Sequence, residues 1–212
     1  MLKDLMNYTN KLPSIIPIFP LSNFIFFPKT SVPINVFEPR YLKMVDDSMK
    51  GNKIIGMIQP RKNTNNSAPD LYSVGCAGKI TSYNETDDGR YLIILNGINR
   101  FKVLNEIKND KIYRECKVSF EDYLIDASLE KTKINNLKEV FKNLKYLFKK
   151  KGYIVNWNDI EKQNIDQIIN ALAMSSPFTL EEKQALLEVV DINSRKLELE
   201  KILNTYVIDD FK

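Results

Sequence analysis

The chain has 212 residues, of which 43% are apolar and 27% charged, and a formal net charge of +4; this composition fits one or two compact globular domains and excludes a wholly disordered chain. No run approaches the roughly 18 consecutive apolar residues that span a membrane, and the opening MLKDLMNYTNKLP lacks the apolar block of a secretory signal, so a cytoplasmic location without membrane contact is expected. Cys76 and Cys116 are the only cysteines and histidine is absent, which excludes a disulfide framework, the usual zinc spacings and both Ser-His and Cys-His nucleophiles, so no metal or cofactor is expected.

From Leu12 to about Phe120 short apolar runs alternate with Pro, Gly and Asn. IIPIFPL, SVPINVF, KIIGMIQ, LYSVGCAGKITSY, RYLIILNGINRFKVL and YRECKVSF are six candidate strands. Several are apolar on both faces or alternate strictly, a pattern suited to a closed or strongly coiled barrel. Pro17, Pro20 and Pro33 each lack a ladder donor and so require edge or bulge positions. One helix interrupts the strands, because EPRYLKMVDDSMKG sets Tyr41, Met44, Val45 and Met49 at three-to-four spacing before Gly51.

The segment from Arg61 to Asp70 is polar and turn-rich, which predicts an exposed, mobile loop. NETDDG, closed by Gly89, reads as the turn of a hairpin between two long strands, with the DG pair at positive φ. VGCAGKI is too closely spaced to wrap a phosphate, so Gly75 and Gly78 read as positions of a bulge or close strand approach.

Beyond Asp126 the period turns helical. Leu137, Phe141, Leu144 and Phe148 form one stripe, stopped by Gly152. Asn158 is placed to cap a second helix that buries Ile165, Ile168, Ile169 and Leu172, and Thr179 with Glu182 forms a capping box before QALLEVV. A last helix from about Asn193 buries Leu199, Ile202, Leu203 and Tyr206. The change of period divides the chain into a β-rich segment, 1–125, and a helical bundle, 126–212, with so short a connection that the two are expected to pack together.

The aromatic content is concentrated. FPLSNFIFFPKT carries Phe19, Phe24, Phe26 and Phe27 within nine residues, more rings than one short edge strand turns inward. Two readings stand: the rings pack between the two segments, or some of them line an apolar groove for exposed segments of other chains.

LPSIIPIFPLSNFIFFPKTSVPINVFEPRY, IIGMIQP, DLYSVGCAGKI and DGRYLIILNGINRFKV, in that order, resemble the amino-terminal domain of the Lon protease in its short, free-standing bacterial form. The resemblance weakens but continues through NALAMSSPFTLEEKQALLEVVD. It implies an α+β fold, a PUA-like β pseudobarrel followed by a helical bundle. It also implies a role in recognising unfolded or tagged substrates, with ATP hydrolysis and Ser-Lys peptide cleavage in downstream modules that these residues do not contain.

Phe37, Glu38, Pro39, Arg40 and Tyr41 match the family's VFEPRY block, Gly56, Met57, Gln59 and Pro60 its strand after the helix, Asp88, Gly89 and Arg90 its hairpin, and Arg100 with Phe101 the close of the barrel. Glu38, Pro39, Arg40, Tyr41, Gly89 and Arg100 are taken as structural, with the Arg40 guanidinium tying Glu38 or backbone carbonyls at the start of the helix. The expected function is a non-enzymatic module that binds exposed apolar segments of client proteins through Phe24, Phe26, Phe27, Phe37 and Met57, alongside a protease or chaperone partner. The alternative is RNA binding, motivated by the PUA-like resemblance and by 17 basic against 13 acidic residues up to Ile125. Nucleic acid has little support from charge, because the bias is mild and 25 of the 31 basic residues are lysine without a clustered strip.

Overall fold

A computed structural model describes residues 7, 11–61, 69–127, 138–160 and 162–208. Most of the loop expected to be mobile, 62–68, lies outside them, as does Leu137. The chain forms two compact units, Met1–Ser128 and Leu129–Lys212.

The first unit holds all six strands: β1 (Ile15–Pro20), β2 (Ser31–Val36), β3 (Ile54–Ile58), β4 (Val74–Glu85), β5 (Tyr91–Ile107) and β6 (Arg114–Ser119), with helix α1 (Pro39–Met49) between β2 and β3. They form one sheet in the order β2-β5-β4-β3-β1-β6, in which β5 also pairs with β6. Only β1 and β3 run parallel; the other pairings are antiparallel.

The expected PUA-like β pseudobarrel is corrected here. The sheet coils far enough for β5 to meet β6, but among the described residues β2 pairs with β5 alone and keeps one edge open, so the six strands do not form a closed barrel. The reason is the length of β5. Its edge opposite β4 is shared end to end, by β2 over Tyr91–Asn96 and by β6 over Lys102–Ile107, so β2 and β6 never become neighbours. Pro33 sits on this one-sided strand, as a residue without a backbone donor requires.

Alternation along β5 turns Ile93 and Leu95 into the core and Leu92 and Ile94 outward. β3 is buried at every residue, because it lies between β1 and β4 in the middle of the sheet. Ile16, Ile18, Ile54, Ile58, Phe101 and Val118 form the heart of the core, with the Phe101 and Phe120 rings edge to face at 6.4 Å.

Helix α1 begins where the chain can no longer donate to a ladder. Glu38 is its extended N-cap, Pro39 its first residue, and Tyr41, Met44 and Val45 are its buried side. The hairpin between β4 and β5 turns through residues 86–90, closed by the Thr86 N–H donating to the Arg90 carbonyl at 2.9 Å. Of the DG pair only Gly89 takes positive φ, at 78°.

A 3-10 helix at Glu121–Ala127 closes the unit. Asp126 is held there by Arg100 of β5, which donates from Nε at 2.8 Å, from Nη2 at 2.9 Å and from its backbone N–H at 3.0 Å. Both side chains are nearly inaccessible, 1% and 6% exposed, and the guanidinium lies 4.2 Å from the Tyr123 ring centroid.

The second unit is helical: α2 (Lys138–Lys150), α3 (Trp157–Ile160), α4 (Ile165–Ser175), α5 (Leu180–Glu188) and α6 (Ile192–Ile208). Val140, Leu144, Leu147 and Phe148 are the buried side of α2, and Gly152 at φ 74° follows its end. The Asn158 cap is corrected. Asn158 lies inside the one-turn α3, and the helix that buries Ile168, Ile169 and Leu172 starts after Asn164, whose N–H donates to Gln167 Oε1 at 3.3 Å. The Thr179–Glu182 box forms as spaced, with the Thr179 N–H donating to Glu182 at 2.8 Å and the Glu182 N–H to Thr179 Oγ1 at 3.1 Å. Buried Arg195 ties three helices by donating to Asn170 Oδ1 and to the Leu186 carbonyl.

Three substitutions test how the unit is held. A Cβ on Gly97 would overlap the Phe27 carbonyl oxygen, a backbone atom, whereas one on Gly89 meets open space at an unfavourable φ. Gly97→Ala is therefore expected to destabilise by about 3 kcal/mol and Gly89→Ala by only about 1 kcal/mol in urea denaturation. Arg100→Leu strands a buried carboxylate at Asp126 and is expected to cost about 3–5 kcal/mol in the same assay.

Candidate functional site

The loop from Leu21 to Thr30 is built to carry rings in two directions. Asn23 and Lys29 adopt left-handed backbone, at φ 65° and 59°, which turns the chain sharply at both ends of the aromatic run. The Lys29 N–H donates to the Gly97 carbonyl at 2.8 Å, the Gly97 N–H returns a bond to the Thr30 carbonyl at 2.8 Å, and Thr30 Oγ1 donates to the Phe27 carbonyl at 2.6 Å. So pinned to β5, the loop buries Phe26 and Phe27 and leaves Phe24 half-buried, its ring 6.4 Å from that of Phe26.

Between the end of β1, this loop, β2 and the start of α1 lies a cleft of about 560 Å³. Phe19 and Tyr41 form its buried floor, with ring centroids 4.3 Å apart, and Phe24 and Phe37 stand at its rim, Phe37 62% exposed. Such exposure of a phenylalanine beside a concave apolar surface marks a place where a ligand gains by covering it.

The charged side chains lining the cleft are Glu38 and Arg40, and they pair with each other. Arg40 Nη2 lies 2.7 Å from Glu38 Oε2, and the guanidinium stacks 4.5 Å from the Tyr41 ring centroid. Burial pushes the Tyr41 phenol above its ordinary pKa, against the pull of Arg40. It is therefore neutral at physiological pH and part of an apolar floor. The Arg40–Glu38 pair is exposed, so its weight in stability is at most about 1 kcal/mol, and its chief effect is to leave no unbalanced charge at this end of the cleft.

Of the residues expected to bind peptide, the structure brings Phe24 and Phe37 together at one cleft. Phe26, Phe27 and Met57 are core residues instead. Phe26 packs toward Gly78 of β4, Phe27 is pinned through its backbone to Gly97, and Met57 lies on fully buried β3, so none of the three offers surface to a ligand. Glu38, Pro39, Arg40 and Tyr41 cap and start α1 beside the cleft, Gly89 makes the hairpin turn, and Arg100 holds Asp126. Sequence reasoning missed Phe19 as floor and β2 as a wall from Val32 to Val36. The signal for β2 was Pro33, which required an edge or bulge position.

A second cavity, of about 400 Å³, lies by Tyr72, Arg114 and Cys116. Arg114 is committed to Glu106, at 2.7 and 2.6 Å, and burial pushes the Cys116 thiol up to about 11, with Glu106 adding to the rise. Among the described residues no group of three or more His, Cys, Asp or Glu side chains is placed to hold a metal ion, and no helix is long and apolar enough to cross a membrane.

The first unit is a coiled α+β unit with a cleft between β1, β2 and α1, and the second unit is helical. The chain belongs to the ATP-dependent protease La (LON) substrate-binding domain family, which it matches over residues 15–205, the non-catalytic amino-terminal region of Lon. It is 25% identical over 198 residues to the Lon protease of Dictyoglomus thermophilum, covering 90% of this chain and 24% of that protein. It is 28% identical over 202 residues to the Lon protease of Cytophaga hutchinsonii, covering 92% and 24%. The chain thus spans about a quarter of the length of the curated relatives it matches.

Two solved structures establish the fold. The Lon N-terminal domain protein from Xanthomonas campestris superimposes with a TM-score of 0.63 at 20% identity, over 88% of this chain and 97% of that one. The N-terminal domain of the Mycobacterium avium complex Lon protease gives 0.62 at 16% identity, over 90% and 98%.

The burial of both cysteines makes a direct check on this unit. In the folded protein at pH 8 neither thiol is expected to react with a thiol-specific disulfide reagent within an hour, because at a pKa of about 11 only about one Cys116 in a thousand is thiolate. Both are expected to react within minutes in denaturant; rapid labelling of Cys116 without it contradicts the packing described.

Proposed function

We propose that the chain recognises client proteins by holding exposed apolar segments of unfolded polypeptide in the cleft between Phe24 and Phe37, over the Phe19–Tyr41 floor. The observation that carries this is the exposed Phe37 ring beside a concave surface whose charged groups already balance one another. Its role is capture, with any cleavage of the client carried out by a protease partner or a chaperone-protease assembly.

The energetics support a weak, repeatable grip. Each rim ring that removes ~100 Å² from water contributes roughly 2.5 kcal/mol before ordering costs. Two such rings, about 5 kcal/mol before ordering costs, hold a single segment with a Kd on the order of 1 mM, and several segments of one unfolded chain raise the apparent affinity through repeated rebinding. The balanced Glu38–Arg40 pair supports an apolar peptide over a polyanion, which needs unpaired cations along its path.

Calorimetric titration with reduced, carboxymethylated α-lactalbumin, a permanently unfolded chain, tests this. The protein is expected to bind it and to ignore the native form of the same protein, with little change between low and high salt. Phe24→Ala with Phe37→Ala is expected to weaken binding at least fivefold while leaving the thermal midpoint within a few degrees, since neither ring is in the core. Undiminished binding by that double variant would remove the cleft from the function.

A further inference from the structure

We propose that the cleft takes its ligand as an added β-strand: an extended apolar segment of an unfolded chain pairs its backbone with the open edge of β2, while its alternate side chains face the cleft floor. This rests on the reading of the cleft as the client site and states how that site recognises its ligand.

The register of β2 shows which backbone groups are on offer. The Gly97 N–H bond to the Thr30 carbonyl makes Thr30–Gly97 a hydrogen-bonded pair, and pairing runs unbroken from Ser31↔Asn96 to Val36↔Tyr91. Antiparallel pairs alternate, so Val32, Ile34 and Val36 turn their N–H and C=O groups to β5, and Ser31, Pro33 and Asn35 turn theirs away. The open edge therefore presents the N–H groups of Ser31 and Asn35 and the carbonyls of Ser31, Pro33 and Asn35. Proline is tolerated at position 33 because its missing donor falls on this side.

The cleft lies along that edge. Successive residues of β2, Val32 through Val36, all line it, and successive side chains of a strand point to opposite faces. A groove on one face of the sheet would touch every second residue; a groove along the edge touches them all.

These features select the occupant. A row of outward donors and acceptors repeating every second residue, about 6.7 Å apart, matches an extended backbone, whereas a helix has already satisfied its own groups. The edge from Ser31 to Asn35 accommodates about five residues. Phe24 and Phe37 at the rim favour apolar side chains on the added strand, and the Glu38–Arg40 pair leaves no net charge to attract an ionic one. An unfolded client offers such a free backbone and a folded one does not, so strand addition itself supplies discrimination for the unfolded state. Pro33 keeps the ladder short and discourages edge-to-edge growth between copies of the chain.

The test uses an apolar heptapeptide of alternating Thr and Val with a central Phe, and two isomers of it N-methylated on one or the other alternate set of amides. Side chains are the same in all three, but each methylated set blocks one edge of the strand. One isomer is expected to bind at least tenfold more weakly and the other nearly as well as the parent. Saturating parent peptide is expected to slow hydrogen exchange at the Ser31 and Asn35 amides at least tenfold.

Asn35→Pro, which removes a second outward donor while sparing the β5 ladder, is expected to weaken binding at least fivefold; should that variant not fold, the methylated pair decides on the native protein. If the peptide binds, Phe37→Ala weakens it, and yet both isomers bind alike with Ser31 and Asn35 unslowed, strand addition is overturned and side-chain capture in the cleft stands. If no peptide reaches the cleft, both fall. If the same amides slow with protein concentration in the absence of peptide, the occupant is a second copy and the proposal is overturned.

Discussion

Strand β5 runs for 17 residues, whereas β2 and β6, which share one of its edges, have six each. This mismatch organises the first unit. Along one edge β5 carries β4 for most of its length, and along the other it carries β2 and then β6. The sheet must coil for β6, already paired with β1, to reach the far end of β5. It must also leave β2 as a strand with a single neighbour. An open edge beside a cleft is thus a consequence of strand lengths rather than an ornament added to a finished barrel.

Gly97 is where this geometry becomes a site. It falls just past the β2 pairing and just before the segment that turns toward β6, and the chain after β1 is hydrogen-bonded there on both sides, through Lys29 and Thr30. Absence of a side chain lets the Phe27 carbonyl come down onto the strand. With Phe26 and Phe27 buried, the loop has the hydrophobic anchorage to hold Phe24 at the rim despite two residues in left-handed backbone. Three residues further along β5 the Arg100–Asp126 pair fastens the closing 3-10 helix, a charge-assisted contact that is costly to break because neither partner can return to water without unfolding the unit.

How much of this was written in the primary structure follows from which forces are local. The six strands, helix α1, the Gly89 turn and the Thr179–Glu182 box were legible, because alternation, a proline at the start of a helix and a capping pair act over a few residues. Asn158 misled because Asn158 with Glu161 and Asn164 with Gln167 share the same capping spacing, and it is the second pair that caps the helix burying Ile168 and Leu172. The barrel misled for a different reason. Coiling and closure produce the same alternating strands, and what separates them is which segment of β5 each short strand pairs with, a long-range property of register. The aromatic run was visible as a surplus of rings, yet its partition into inward Phe26 and Phe27 and outward Phe24 depends on the seat at Gly97, 70 residues further along the chain.

The same two facts bear on selectivity. Apolar rims alone grip any greasy surface, including that of a partly exposed native protein, because hydrophobic contact has no direction. Backbone pairing has direction and needs a stretch of chain whose own donors and acceptors are unclaimed, which native proteins keep in ladders and helices. In the proposed mode, combining Phe24 and Phe37 with the edge of β2 would make the unfolded state itself the recognised feature, with composition of the segment a secondary preference. Pro33 completes the arrangement by removing the middle donor from an edge that would otherwise recruit strands indiscriminately.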